Sequence, residues 1–177
     1  AVNAVNALPP SPRRSGLLNL TTLARGSLAA SFVCGLSCSA NCTLRCFSRS
    51  TTLPQPLLNA SVVQASTGPS SVCAVLAGSL RVQCWGPIAT LMPTLPTTPT
   101  SLVAVGGEVV CGLANAAATP WCVRAGGSVA PIPVPAASSN ASDLVVGAVD
   151  ACLRTHEDDI HCWDLLSGTG LATPSLS

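Results

Sequence analysis

The chain has 177 residues, ten of them cysteine, and a net charge of about +1 from eight Arg against seven Asp and Glu, with no Lys. That length supports one ordinary domain with a real core. Charged residues make up only 8% of the chain and form no basic stripe, which excludes the electrostatic footprint of a nucleic-acid binder. No apolar run reaches the roughly 18 residues a transmembrane helix needs, so no membrane span is expected.

Residues 1–16 (AVNAVNALPPSPRRSG) are a Pro-rich segment without the layout of a signal peptide. The chain therefore reads as processed, or as a piece of something longer. From residue 17 a repeat takes over: VCGL…LRCFS (33–48), VCAV…VQCWG (72–86), VCGL…PWCV (110–123) and ACLR…IHCWD (151–164). The first cysteines, Cys34, Cys73, Cys111 and Cys152, step by 39, 38 and 41. Their partners, Cys46, Cys84, Cys122 and Cys162, step by 38, 38 and 40. A fixed period of this size marks a repeat architecture. Residues 17–177 divide into approximate units 17–56, 57–97, 98–137 and 138–177 of one repeat domain.

The second unit is the cleanest. NASVVQAST (59–67) reads as a short strand after a loop, and SVCAVL (71–76) as a second strand. Ala77-Gly78-Ser79 is a tight turn, and LRVQCW (80–85) a third strand. The following IATLMPTLPTTPT carries three prolines. It is expected to hold at most a short edge strand before an exposed linker. The Pro-rich stretches 7–16, 90–101 and 130–139 read as extended, polyproline-like connectors or plain loops.

The two cysteine-bearing strands of each unit make a hairpin. Ten residues separate Cys73 from Cys84, and ten separate Cys111 from Cys122, so each pair can face across a symmetric hairpin within disulfide reach. Cys34 and Cys46 enclose eleven residues, Cys152 and Cys162 nine; these odd counts call for a bulge or a three-residue turn. Bridges between repeats, or free thiols, are the alternatives. Cys38 and Cys42 stand outside the period, and either bridge each other or exchange partners with Cys34 and Cys46. Their spacing is not the usual zinc pattern, so no metal is expected.

Four N-x-S/T sequons occur, at Asn19, Asn41, Asn59 and Asn140. With ten cysteines they point to an oxidising, glycosylating compartment. Asn19, Asn59 and Asn140 precede the first cysteine of their units by similar offsets of 15, 14 and 12, which suggests a shared exposed loop. Ser and Thr beside Pro are further sites for O-linked glycans.

Chemistry is sparse. His156-Glu157-Asp158-Asp159-Ile160-His161 is the one polar cluster; it can build a cation site, but its repeat position makes it a solvated hairpin turn. No nucleophile elbow accompanies the two histidines, so a Ser-His-Asp hydrolase is not supported. Trp85, Trp121 and Trp163 can stack on sugars, yet their place beside the cysteines favours core packing between repeats. Trp121 precedes its cysteine where the others follow theirs, a shift expected to turn its ring to the other face of its strand. Arg81, Arg124 and Arg154 flank the cysteines without an evident role. No cofactor is expected.

Short strands repeating at this period, with C…L…CWG at the central hairpin, resemble the regulator-of-chromosome-condensation type of β-propeller repeat in its extracellular, cysteine-bearing form. The ectodomain repeats of Crinkly-type receptor kinases are similar. The resemblance covers about residues 17–177 and implies an all-β fold of antiparallel, disulfide-stapled blades. About four blades form an open arc or part of a larger propeller. It departs from the family after CWG, where unrelated apolar or Pro-rich runs replace the usual G-x-L-G. The function expected is a non-enzymatic, secreted or cell-surface glycoprotein module. It would serve protein–protein assembly in a matrix or flagellar-surface filament, with other extracellular proteins or further blades as partners. The alternative is a ligand-recognition ectodomain of a receptor; a glycan-processing enzyme is the third reading.

Overall fold

The computed structural model describes residues 20–23, 25–26, 32–38, 41–48, 60–114, 119–125, 141–167 and 169–171. These residues build fourteen strands and one 3-10 helix. The strands are β1 (Leu20–Leu23), β2 (Arg25–Gly26), β3 (Phe32–Cys38), β4 (Cys42–Ser48), β5 (Val62–Thr67), β6 (Val72–Leu76) and β7 (Val82–Trp85). They continue as β8 (Thr100–Gly106), β9 (Val109–Ala114), β10 (Thr119–Arg124), β11 (Ala141–Val146), β12 (Asp150–Thr155), β13 (Ile160–Asp164) and β14 (Gly170–Leu171).

Four separate sheets result, ordered β1-β3-β4, β2-β5-β6-β7, β10-β9-β8 and β11-β12-β13-β14. Each is an antiparallel meander apart from the short parallel β2–β5 pairing. The sheets are the blades of a β-propeller arc, numbered 1 to 4 along the chain. Three strands are common to all blades, and the fourth position varies. Blade 2 borrows β2 from the preceding segment, and blade 4 adds β14.

The blades stack face to face, and the core lies in the three seams between them. Cys34, Leu36 and Leu44 of blade 1 meet Val62, Ala65, Val72 and Ala74 of blade 2. Cys73, Val75, Val82 and Cys84 of blade 2 meet Val103, Val105, Val110 and Val123 of blade 3. Ala104, Cys111, Leu113 and Cys122 of blade 3 meet Leu144, Ala151, Leu153 and Trp163 of blade 4. A blade with neighbours on both sides buries both faces of its strands. That is why Val72–Leu76 and Val109–Ala114 read as continuous apolar runs. Asp150–Thr155 instead alternates between exposed or half-exposed and buried positions, the period-2 pattern of a strand covered on one side.

Two expectations are corrected by the fold. The Pro-rich segment after β7 holds no edge strand, and only its end, Thr97–Pro99, is an exposed linker. Pro87–Thr94 is a 3-10 helix with Pro at its start, where the missing N–H costs nothing. Ile88 and Leu95 are buried in the seam between blades 2 and 3, and the Ile88 N–H donates to Ser71 Oγ at 3.2 Å. Secondly, Trp121 does not turn to the other face. Positions just before and just after a strand cysteine share a face, because side chains repeat every second residue. Trp121 therefore packs on the same side as Val123, one strand step further along.

Candidate interaction surface

Five disulfides close, each within one hairpin and between directly opposed residues. They are Cys34–Cys46, Cys38–Cys42, Cys73–Cys84, Cys111–Cys122 and Cys152–Cys162, with Cα atoms 4.0–4.1 Å apart. Among the described residues no cysteine is free. The Cys38–Cys42 bridge tops the blade 1 hairpin, and Asn41 is exposed beside it. Asn19, Asn59 and Asn140 lie outside the described residues.

Blades 2 to 4 each have a front, turned to the preceding blade, and a back carrying the main bridge. The three tryptophans belong to the front. Trp163 is fully buried against the seam that holds Cys111 and Cys122. Trp85 and Trp121 are half-buried, packed on the seams of Cys34 and of Cys73. The indole N–H groups of Trp121 and Trp163 are buried without a hydrogen-bond partner, so these rings act through apolar contact. The Trp121 ring lies over Gly112, its cross-strand partner. A Cβ there would sit 2.6 Å from Cε2.

Polar stitches join the first strands of neighbouring blades. Gln64 of blade 2 reaches the inner edge of β8. Its Nε2 donates to the Val103 carbonyl at 2.9 Å, and its Oε1 accepts from the Val103 N–H at 2.9 Å. The Val105 N–H donates to Ser66 Oγ at 3.1 Å. An otherwise open strand edge is thus closed by the preceding blade's side chains. Close approach is secured by Gly106, where a Cβ would collide with the Gly147 carbonyl oxygen and stand 2.5 Å from that of Val146. Gly68, Gly106 and Gly147 each precede the first cysteine of their blade by five residues. This spacing is legible in the chain, although sequence reasoning passed over it. The ends of β5, β8 and β11 enclose a cleft of about 330 Å³, walled by Thr67, Pro69, Val105 and Ala148 among others.

The main bridges differ in their cover. In blade 2 the row Ser66–Cys73–Cys84 runs in register across the sheet, 3%, 0% and 4% exposed. In blade 3 the row Ala104–Cys111–Cys122 is buried in the same way. Blade 4 repeats it as Val145–Cys152–Cys162–Leu171, but Val145 is 56% and Leu171 42% exposed, with both cysteines half-buried. Asp143, Arg154, Asp150 and Asp164 flank this row at the same registers. Six large apolar residues are exposed among the described residues, and five of them (Val145, Val149, Ile160, Leu166 and Leu171) belong to blade 4.

The acidic turn of blade 4 is a capped turn. Thr155 Oγ1 accepts from the Glu157 and Asp159 N–H groups, both at 3.2 Å, and Asp158 carries φ +66°. Arg154 lies 3.7 Å from Asp158 on the surface. No group of three or more metal-ligating side chains gathers among the described residues. Arg124 donates across the seam to the Leu165 carbonyl at 3.2 Å, whereas Arg81 is exposed. Among the described residues no helix is long and apolar enough to cross a membrane.

No protein-family model matches the chain, and no curated protein sequence does. Solved structures do. The Crinkly WD40 ectodomain of an Arabidopsis thaliana receptor kinase is similar with a TM-score of 0.65 at 24% identity, over 86% of this chain and 51% of that one. The entire ectodomain of a Physcomitrella patens receptor kinase gives 0.58 at 24% identity, over 76% and 36%. Prp20p of Saccharomyces cerevisiae, studied for binding to Gsp1p and histones, gives 0.57 at 15% identity, over 88% and 50%. These likenesses show the β-propeller fold. The chain spans about half the length of these structures, or less.

Proposed function

We propose that this chain is a non-enzymatic extracellular module that binds other proteins, most simply in building an extracellular assembly such as a matrix or surface filament. The observation that carries the reading is the concentration of exposed apolar side chains on blade 4 of a charge-poor chain. An apolar patch rimmed by polar groups is the mark of a protein contact. Five disulfides support an oxidising compartment, as does likeness to receptor ectodomains. In this reading Asn19, Asn41, Asn59 and Asn140 bear N-linked glycans, and Ser and Thr near Pro bear O-linked ones.

A photo-crosslinker at exposed Val149, on native surface or secreted material, tests the module. Protein adducts are expected, together with five closed bridges and sugar on the sequons in a non-reducing peptide map. Free thiols and bare asparagines would remove the extracellular assignment, and absence of protein adducts the binding role. The cleft near Ala148 favours a second reading, a ligand-recognition ectodomain. A crosslinker at Ala148 that captured a peptide or glycan while the one at Val149 captured nothing would support it instead.

A further inference from the structure

One sequon contains a bridged cysteine. Asn41-Cys42-Thr43 begins at the tip of the blade 1 hairpin, and its middle residue is tied to Cys38 directly opposite. A sequon needs an amide and a hydroxyl two residues apart, so the transferase must reach both together. The closed hairpin presents only the first. Asn41 is exposed, but Thr43 is half-buried in β4. The Thr43 hydroxyl donates to the Ser37 carbonyl at 3.4 Å, and its backbone bridges to Ser61 of blade 2. The Cys38–Cys42 bridge, in the neighbouring residue pair, fixes that register covalently.

Chain order sets this sequon apart. The residues that lock it, Ser37 and Cys38, are synthesised before Thr43. The sequon at Asn140 ends in Ser142, whose hydroxyl donates to the carbonyls of Arg154 and Thr155 at 3.1 and 3.0 Å. Those partners emerge 12 and 13 residues later, a delay of about one second at ordinary synthesis rates. A hairpin forms within about 1–10 μs. The blade 1 tip can thus close as soon as Thr43 is made, whereas the Asn140 acceptor stays open for longer.

We propose that Asn41 is a redox-gated glycosylation site. It takes sugar only while Cys38 and Cys42 are thiols, and it stays bare in a chain whose bridge closes first. This rests on the extracellular, glycosylated reading above and adds its regulation. In the first step Asn41 Nδ2 loses a proton and bonds the anomeric carbon of an oligosaccharide, and the lipid pyrophosphate that carried the sugar leaves. In the competing step two thiols give two protons and two electrons to a disulfide oxidant, which becomes a dithiol. The redox poise of the compartment therefore sets how many molecules carry sugar at the blade 1 tip.

Glycopeptide mapping of the full-length chain secreted from eukaryotic cells tests this. Wild type is compared with the double variant Cys38→Ala with Cys42→Ala, which keeps an N-x-T sequon; its other four bridges are checked in the same map. Wild type is expected to be partly occupied at Asn41, and the variant to gain about twofold or more with Asn140 unchanged. A low dose of dithiothreitol during synthesis should raise Asn41 occupancy in wild type, an arm that needs no substitution and decides the matter if the variant does not fold. Equal Asn41 occupancy in the two chains, or no response to the reductant, overturns the proposal. So does enzymatic transfer of sugar to Asn41 of the purified, bridged, bare chain. Sugar on Asn140 with an indifferent Asn41 removes the gate alone, whereas four bare sequons remove the extracellular reading and the gate with it.

Discussion

Removing the blade 2 bridge should cost more than removing the blade 4 bridge, although the two close loops of nearly equal length. The paired substitutions are Cys73→Ala with Cys84→Ala, and Cys152→Ala with Cys162→Ala. Sequence separations of 11 and 10 residues give chain-entropy terms of about 2.8 and about 2.7 kcal/mol. Loop closure therefore does not separate the variants. Burial does: Cys73 and Cys84 sit inside the seam between blades 2 and 3, whereas Cys152 and Cys162 are half-exposed. Each buried sulfur removed leaves a void of roughly methyl size, at about 0.5–1.5 kcal/mol. The blade 2 pair should lose about 4–6 kcal/mol in all, and the blade 4 pair about 3. Urea unfolding of both variants, at concentrations where the chain is monomeric, reads the difference. Equal losses, or a larger loss in blade 4, would refute the claim that seams hold the core.

Three further outcomes follow from the geometry. Gly106→Ala should destabilise by about 3 kcal/mol or more, since its Cβ would meet blade 4 backbone; Gly170→Ala, with open space around it, should stay within about 0.5 kcal/mol by thermal melting. Gln64→Leu keeps the volume but strands the Val103 N–H and carbonyl, so a loss of about 2–5 kcal/mol is expected, with faster amide exchange at Val103. Asp164 should titrate below its ordinary 3.8, because the Ser167 backbone N–H and then its hydroxyl favour the carboxylate, helped by the Leu166 N–H. A depressed folded pKa adds stability above the unfolded value, and this is lost as pH falls through the folded one. Carbon-detected NMR should find the midpoint rising in Ser167→Ala.

The repeat, the hairpins and the propeller fold were legible because cysteine spacing survives where other side chains drift. The 3-10 helix was not. Three prolines over 88–100 forbid a central strand, but nothing local says that Ile88 and Leu95 are needed as seam filler. Counting Trp121 from its cysteine as a single step gives the wrong face, because the displacement between the two placements is two. The open back of blade 4 was written in the alternation of DACLRT against the continuous VCAVL and VVCGLA. Its meaning needed the covered seams for comparison. Gln64 gave no signal, because a lone polar residue in a strand looks the same whether it meets water or a neighbouring backbone.

Because every bridge stays inside its own hairpin, the covalent links say nothing about how the arc resists load. Pulled from its ends, the chain presents four locked loops and three unlocked seams. The step from Cys73 to Cys111 is 38, and the Cys73–Cys84 bridge locks 11 of it. Each parting seam can thus release about 27 residues, roughly 95 Å of extended chain. The oxidised arc would yield in a few short, even steps, and chemical reduction would lengthen each step without changing their number. Such a chain gives ground under tension in regular increments while every bridged hairpin stays tied.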